Sequence, residues 1–213
     1  IISKRTLCIV VDTYQAGLVE SKEILEKCGR VAVIDHHRKG VGYIQNPDLV
    51  CHEPYSSSAS ELVTELLQYV GDRDDKPNRV EAEGLLSGIM LDTRDFTLHT
   101  GVRTFEAAAA LRRYGAETER VRQLFDVTMV EYNAKAGLVE KAKMYRNCAI
   151  SIGGEVAAEA RVAIAQAAND LLTIQGVDAS FVAVQVGTGV NISARSLGAV
   201  NVQVIMESLG GGG

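Results

Sequence analysis

The chain has 213 residues, 46% of them hydrophobic and 23% charged, with 22 basic against 27 acidic side chains and a formal charge of −5. That length allows one large domain or two small ones, and the balance of apolar and charged residues excludes a disordered segment. A mildly acidic chain has no global field for gripping a long nucleic-acid backbone, so a phosphate-bearing ligand has to be met by a local site or by metals. Cys8, Cys28, Cys51 and Cys148 are scattered with no C-x-x-C pair, which suits reduced thiols better than a disulfide framework or a zinc knuckle. No apolar run is long enough to span a bilayer and no signal peptide is recognisable, so a cytoplasmic location is expected. The chain opens at Ile1 and closes in Gly210 to Gly213, and both ends read as cut edges of a longer protein.

Residues 6–11 form an apolar, β-branched run that predicts a buried strand ending at Asp12. Helical spacing over 19–27, stopped by Gly29, leads to a second apolar run over 31–34 that ends at Asp35. Two such strands joined by a helix predict a βαβ unit and a parallel sheet. Helices are predicted over 58–70, 79–91 (ending at Asp92), 103–114 and 117–145, the last with a break near Gly137. The tail changes character: a strand over 148–152, an alanine-rich helix over 155–174, strands over 180–186 and 190–196 about Gly187-Thr188-Gly189, and a helix over 201–209. A helical connection between two α/β pieces predicts two domains, 1–126 and 147–213, with 127–146 as a helical linker.

Asp12, Asp35 and Asp92 each close an apolar segment. In an open parallel sheet, ligands gather at the carboxyl ends of the strands. One such aspartate alone reads as a cap or turn residue. With the pair His36-His37 beside Asp35, the set points to a metal. Successive residues leaving a strand point to opposite sides, so one histidine is expected to share a metal with Asp12 while the other faces substrate. Carboxylates with an imidazole suit Mn²⁺ or a similar ion better than structural zinc. A surface histidine pair in a turn is the plainer alternative.

Asp35-His36-His37 after a strand, Asp12 in Val-Val-Asp-Thr, Leu-Asp92-Thr93, and Ser193-Ala-Arg195-Ser196 followed by the glycine tail resemble the DHH–DHHA1 phosphoesterases. The segment from Asn201 through Gln203 to the glycines is most similar to the cyclic-di-AMP phosphodiesterase subgroup. The resemblance implies an α/β protein, with a parallel-sheet DHH domain joined by a helical linker to a smaller mixed α/β DHHA1 domain. It implies two Mn²⁺ ions, with Asp12 bridging them and His36 and Asp92 as further ligands. Asp35 would orient its neighbours and His37 would face the scissile phosphate. Arg195, Ser193, Gly211 and Gly212 would contact the nucleotide. The implied reaction is metal-assisted hydrolysis of a cyclic dinucleotide, cyclic di-AMP, to a linear one. An oligoribonuclease or adenosine-bisphosphate phosphatase is the rival within the family, with a short oligonucleotide as substrate. A non-catalytic nucleotide-sensing module is the rival outside it. A homodimer, and a membrane anchor elsewhere in the parent protein, complete the expectation.

Two departures accompany the resemblance. The family's opening His-x-x-x-Asp-x-Asp motif is absent from the chain, as is the histidine that follows the glycine tail. With part of the ligand set missing, weak metal binding and an inactive fragment are expected. Among the other polar residues, Ser56, Ser57 and Ser58 read as helix-capping residues and not as a nucleophile, with amides available to a phosphate. His52 and His99 read as ordinary polar residues, and Arg112, Arg113, Arg120 and Arg122 as solvated helix faces. For Arg195 the structural alternative is a salt bridge to Glu207.

Overall fold

The computed structural model describes residues 2–38, 42–71, 76–155 and 161–211. The chain divides into two compact units, Ile1–Asp126 and Val127–Gly213.

The first unit begins with β1 (Leu7–Val11), α1 (Lys22–Lys27), β2 (Arg30–Asp35) and β3 (Leu49–His52). The predicted βαβ unit is present: β1 and β2 are parallel, with Val11 opposite Ile34, and β3 adds a third parallel strand with Ile34 opposite Cys51. The amide of Asp12 donates to Ile34 O at 3.0 Å, which keeps the end of β1 level with the end of β2. One face of the sheet packs around Val10, Tyr14, Val33 and Ile44.

Helices α2 (Ala59–Tyr69), α3 (Arg79–Thr93), α4 (Val102–Arg113) and α5 (Thr118–Gln123) follow. The start of α3 is fixed by a capping box: Asn78 Oδ1 accepts from the Val80 and Glu81 amides, and Glu81 Oε2 accepts from the Asn78 amide at 2.9 Å. Small residues let these helices approach closely, and Ala82, Leu86, Ile89, Ala107, Leu111 and Val121 share one core.

The second unit contains α6 (Met129–Glu140), β4 (Lys143–Tyr145), β5 (Cys148–Glu155), α7 (Arg161–Leu171), β6 (Ala179–Val186), β7 (Gly189–Ser196) and α8 (Val202–Ser208). Its sheet runs β4-β5-β6-β7 and is mixed, because β5 and β6 are parallel while the other pairs are antiparallel. Gly187-Thr188 makes a tight hairpin turn, with Gly187 at φ 57, a conformation that costs glycine little. The core collects Leu138 of α6, Ile164, Ala167, Ala168 and Leu171 of α7, and Val182 and Val184 of β6.

The single helix expected over 117–145 is three elements. Thr128 restarts the chain, its Oγ1 accepting from the Glu131 amide while Glu131 Oε2 accepts from the Thr128 amide. The break therefore falls before Thr128, and Gly137 sits undisturbed inside α6. Part of the predicted helix over 155–174, residues 156–160, lies outside the described residues; α7 occupies its second half. Among the described residues, no helix is long and apolar enough to cross a membrane.

Candidate metal centre

The carboxyl end of the parallel sheet gathers four of the predicted residues. His36 Nε2 lies 3.4 Å from Asp12 Oδ1 and 3.7 Å from Asp92 Oδ2, and His37 Nδ1 lies 3.9 Å from Asp12 Oδ1. One ligand atom from each of Asp12, His36 and His37 falls within 4.8 Å of the other two. Asp12 leaves β1 at φ 64, a left-handed conformation that aspartate tolerates better than most residues. Asp92 arrives from the last turn of α3. Burial, the largest cause, pushes its carboxyl above the ordinary carboxylate range; His36 opposes that shift, Asp12 adds to it, and His37 opposes it.

Asp35 is fully buried, and its Oδ1 accepts from the His37 amide at 3.2 Å and from His37 Nδ1 at 2.8 Å. That bond fixes the ring and leaves Nε2 as its outward nitrogen. Asp35 Oδ2 has no hydrogen-bond partner. His36 is held from behind, its Nδ1 3.3 Å from the carbonyl oxygen of Ser56, so with Nδ1 protonated its Nε2 presents a lone pair to the two carboxylates.

The segment 35–38 is also pinned by residues that sequence reasoning passed over. His52 Nε2 meets the His37 carbonyl at 2.6 Å, and the Tyr14 hydroxyl donates to the Arg38 carbonyl at 2.6 Å. His52 is thus a brace for the histidine pair and not an ordinary polar residue. Ser58 caps α2 as expected, accepting from the Glu61 amide at 3.0 Å. Glu61, also fully buried, accepts from Ser56 Oγ (2.8 Å), Ser57 Oγ (2.5 Å) and the Ser57 amide (3.3 Å). Burial by itself would raise this carboxyl, but bonds from Ser57, Thr104 and Ser56 outweigh it and hold the group below its ordinary value. The Ser57 amide is therefore committed to Glu61 and not offered to a phosphate. A cavity of about 1010 Å³ opens beside the donors, lined by His36, His37, Asp92, Ser57, His99 and Phe105 among others. His99, read from sequence as ordinary, stands on its wall.

The remaining predicted residues belong to the second unit. Asn191, Ser193 and Arg195 lie on one face of β7, opposite Val184, Val182 and Ser180 of β6. Arg195 Nε donates to Asn169 Oδ1 of α7 at 3.2 Å and its Nη1 to the Ala194 carbonyl at 2.8 Å; Glu207 instead accepts from Gln203. Gly210 (φ 78) and Gly211 end α8, donating to the Glu207 and Met206 carbonyls at 3.0 and 2.9 Å. That pair of bonds is a Schellman stop, which occupies the Gly211 amide. Gly212 lies outside the described residues. Two of the arginines read as solvated are paired, Arg120 with the buried Glu83 at 3.1 Å and Arg122 with Asp95 at 2.6 Å.

A three-strand parallel sheet carrying Asp-His-His at a strand end, followed by a mixed-sheet unit, defines a class. Residues 1–89 match the DHH family N-terminal domain and residues 154–213 the DHHA1 domain, and the chain belongs to the DHH–DHHA1 family. It is 51% identical over its whole length to the cyclic-di-AMP phosphodiesterase GdpP of Geobacillus thermodenitrificans, and 45% identical to the cyclic-di-AMP phosphodiesterase PdeA of Listeria monocytogenes. It spans 32% of the length of each of these relatives. The fold is shared with an exopolyphosphatase-related protein from Bacteroides fragilis, at TM-score 0.86 and 21% identity, over all of this chain and 65% of that one.

Proposed function

We propose that this chain is the catalytic part of a phosphodiesterase that opens cyclic di-AMP to the linear dinucleotide with the help of Mn²⁺. The observation that carries the reading is the meeting of Asp12, His36, His37 and Asp92 at the mouth of a cavity large enough for a dinucleotide. The identity of 45–51% to two cyclic-di-AMP phosphodiesterases supports the choice of substrate.

The donor set fits a divalent cation of the Mn²⁺ type. It mixes carboxylate oxygens with imidazole nitrogen, and the buried Asp35 Oδ2, which has no hydrogen-bond partner, is a polar atom that a cation nearby would compensate. Asp12, His36 and Asp92 would hold the metal, with Asp12 as the shared carboxylate of a pair. Bound there, such ions polarise a phosphoryl oxygen and lower the pKa of water. The protein's own residues do the rest. Asp35 steadies His37 through Nδ1, so that its ring, with Nε2 outward, can face a phosphate oxygen. Ser56 keeps His36 in the tautomer a metal requires. In the second unit Arg195, held along its Nε edge by Asn169, keeps guanidinium donors for a phosphate or a base edge, with Ser193 on the same strand face.

The test is a substrate comparison in the full-length protein with Mn²⁺. Cyclic di-AMP is expected to show the highest kcat/KM against a linear diadenylate and adenosine 3′,5′-bisphosphate. A clear preference for the linear diadenylate or the bisphosphate would transfer the reading to an oligoribonuclease or phosphatase. Binding of nucleotide without turnover of any of the three would make it a sensing module.

A further inference from the structure

The wall of the cavity away from the metal donors is aromatic, and an unusual stretch of backbone builds it. Helix α3 delivers Asp92 to the donors and then ends in Arg94, Asp95 and Phe96 at φ 48, 55 and 63, with none of the three a glycine. Stopping a helix needs one left-handed residue. Three in succession are sterically costly, and such strain collects where geometry serves a ligand. The buried Thr93 holds this turn: its Oγ1 donates to the Ile89 carbonyl at 2.7 Å and accepts from the Phe96 amide at 3.0 Å, and its carbonyl accepts from the Leu98 amide at 2.8 Å.

The result is to set Phe96 against Phe105 of α4, rings stacked at 5.6 Å between centroids and 17° between planes. Phe96 is backed by the helical core, while Phe105 is 57% exposed and lines the cavity. Tyr55, 96% exposed, lines the same cavity, as do Arg38 and His99. Helix–helix packing alone gives no reason for an aromatic face this open beside a site of charged donors.

We propose that Phe105, backed by Phe96, is the platform on which one nucleobase of the substrate stacks, with the neighbouring phosphodiester lying at the Asp12–His36–Asp92 donors. The inference rests on the dinucleotide reading given above and adds to it the subsite that reads the base. A flat purine covers an exposed ring face without needing a fixed hydrogen-bond pattern, so the platform binds adenine firmly and discriminates among bases weakly. Arg38 and His99 offer donors at its margin.

The experiment uses the full-length protein loaded with Ca²⁺ and measures its binding of cyclic di-AMP by calorimetry. It is paired with Mn²⁺-driven hydrolysis of cyclic di-AMP and of a linear phosphodiester of two abasic riboses. Phe105→Leu, which keeps an apolar side chain at the helix corner, is expected to weaken cyclic di-AMP binding ~10-fold, in line with the loss of one base stack. Phe105→Tyr is expected to restore it. Phe105→Leu should leave the abasic substrate's kcat/KM and the melting temperature unchanged. Unchanged cyclic di-AMP affinity in Phe105→Leu, an equal loss on both substrates, or failure of the wild type to bind cyclic di-AMP overturns the platform. Binding that depends on the ring, in a protein that hydrolyses neither substrate, upholds the platform and overturns the phosphodiesterase reading instead.

Discussion

The two units solve the problem of holding a functional side chain in opposite ways. In the first, β1 buries only Val10, while Leu7, Ile9 and Val11 are 48%, 57% and 50% exposed. In the second, Val182 and Val184 of β6 are at most 1% exposed and sit under a helix of alanines. The donors at the end of β1 and β2 thus owe their geometry less to a packed core than to polar braces: Asp35 on His37, His52 on the His37 carbonyl, Tyr14 on the Arg38 carbonyl and Ser56 behind His36. Arg195 instead rides on the face of its sheet that α7 covers, the face of the buried Val182 and Val184, and is held by Asn169 of that helix. The difference teaches where each unit is fragile. Single polar substitutions should disable the first without unfolding it, and single apolar truncations should unfold the second.

The sharpest break is at Asp12. In the full-length protein Asp12→Asn, which keeps a side chain tolerant of φ 64, is expected to lower Mn²⁺ affinity by more than about 100-fold, above what outer residues cost. Its effect on the stability of the metal-free protein should stay within about 0.5 kcal/mol, as for other exposed sites. Calorimetric titration with Mn²⁺ and a denaturant curve measure the two; normal metal stoichiometry would remove Asp12 from the centre. The mirror experiment is Leu171→Ala. This fully buried leucine of α7 should cost about 2–5 kcal/mol by leaving a cavity in the second core. Mn²⁺ affinity in the first unit should not move. A parallel loss of metal binding would show that the units do not stand independently.

Next in size is Glu61. It touches none of the four donors, yet it orders Ser56 and Ser57, and Ser56 sets His36. Glu61→Gln keeps the volume but faces the committed Ser57 amide and two hydroxyls with one acceptor fewer. Metal affinity should fall about 10-fold, at the low end for a residue behind a ligand. Circular dichroism should show the helices intact. Unchanged affinity would confine Glu61 to capping α2.

Much of this was legible along the chain because the signals are local. The apolar runs ending at Asp12 and Asp35 specify parallel strands, and the adjacency of His36 and His37 marks their open end. What escaped was decided by pairing and packing that local propensity does not show. Leu49–His52 is a strand of four residues carrying a cysteine and a histidine, and it becomes a strand because β2 offers it a free edge. Lys143–Tyr145 was absorbed into a predicted helix, and pairing with Cys148–Ile150 overrides that propensity. His52 reads as a lone histidine until β3 sets it opposite Asp35. The left-handed run over 94–96 carries no glycine to announce it. The bracing of a site is a tertiary property, whereas its donors stand at the ends of elements where sequence shows them.

The smallest expected effect tests whether the centre is built for a cation or merely tolerates one. The Asp92 carboxyl is raised, chiefly by burial and further by Asp12, so the fold binds its proton more tightly than the unfolded chain does. Its contribution is fully present below the ordinary carboxylate value and is lost as pH rises through the raised one. At neutral pH, therefore, ionised Asp92 weighs slightly against the metal-free fold, discounted because the side chain is 36% exposed. Metal-free Asp92→Asn should melt a little above the wild type at pH 7, and the gap should close as pH falls below the carboxylate range. Adding Mn²⁺ should invert the order, because only the wild type has a carboxylate to contribute and ligand binding to the folded state raises its stability. Thermal melts at two pH values, with and without Mn²⁺, measure all four conditions. If Asp92→Asn melted below the wild type without metal at pH 7, the ionised carboxylate would be supporting the fold through His36. Its place among the donors would then be structural.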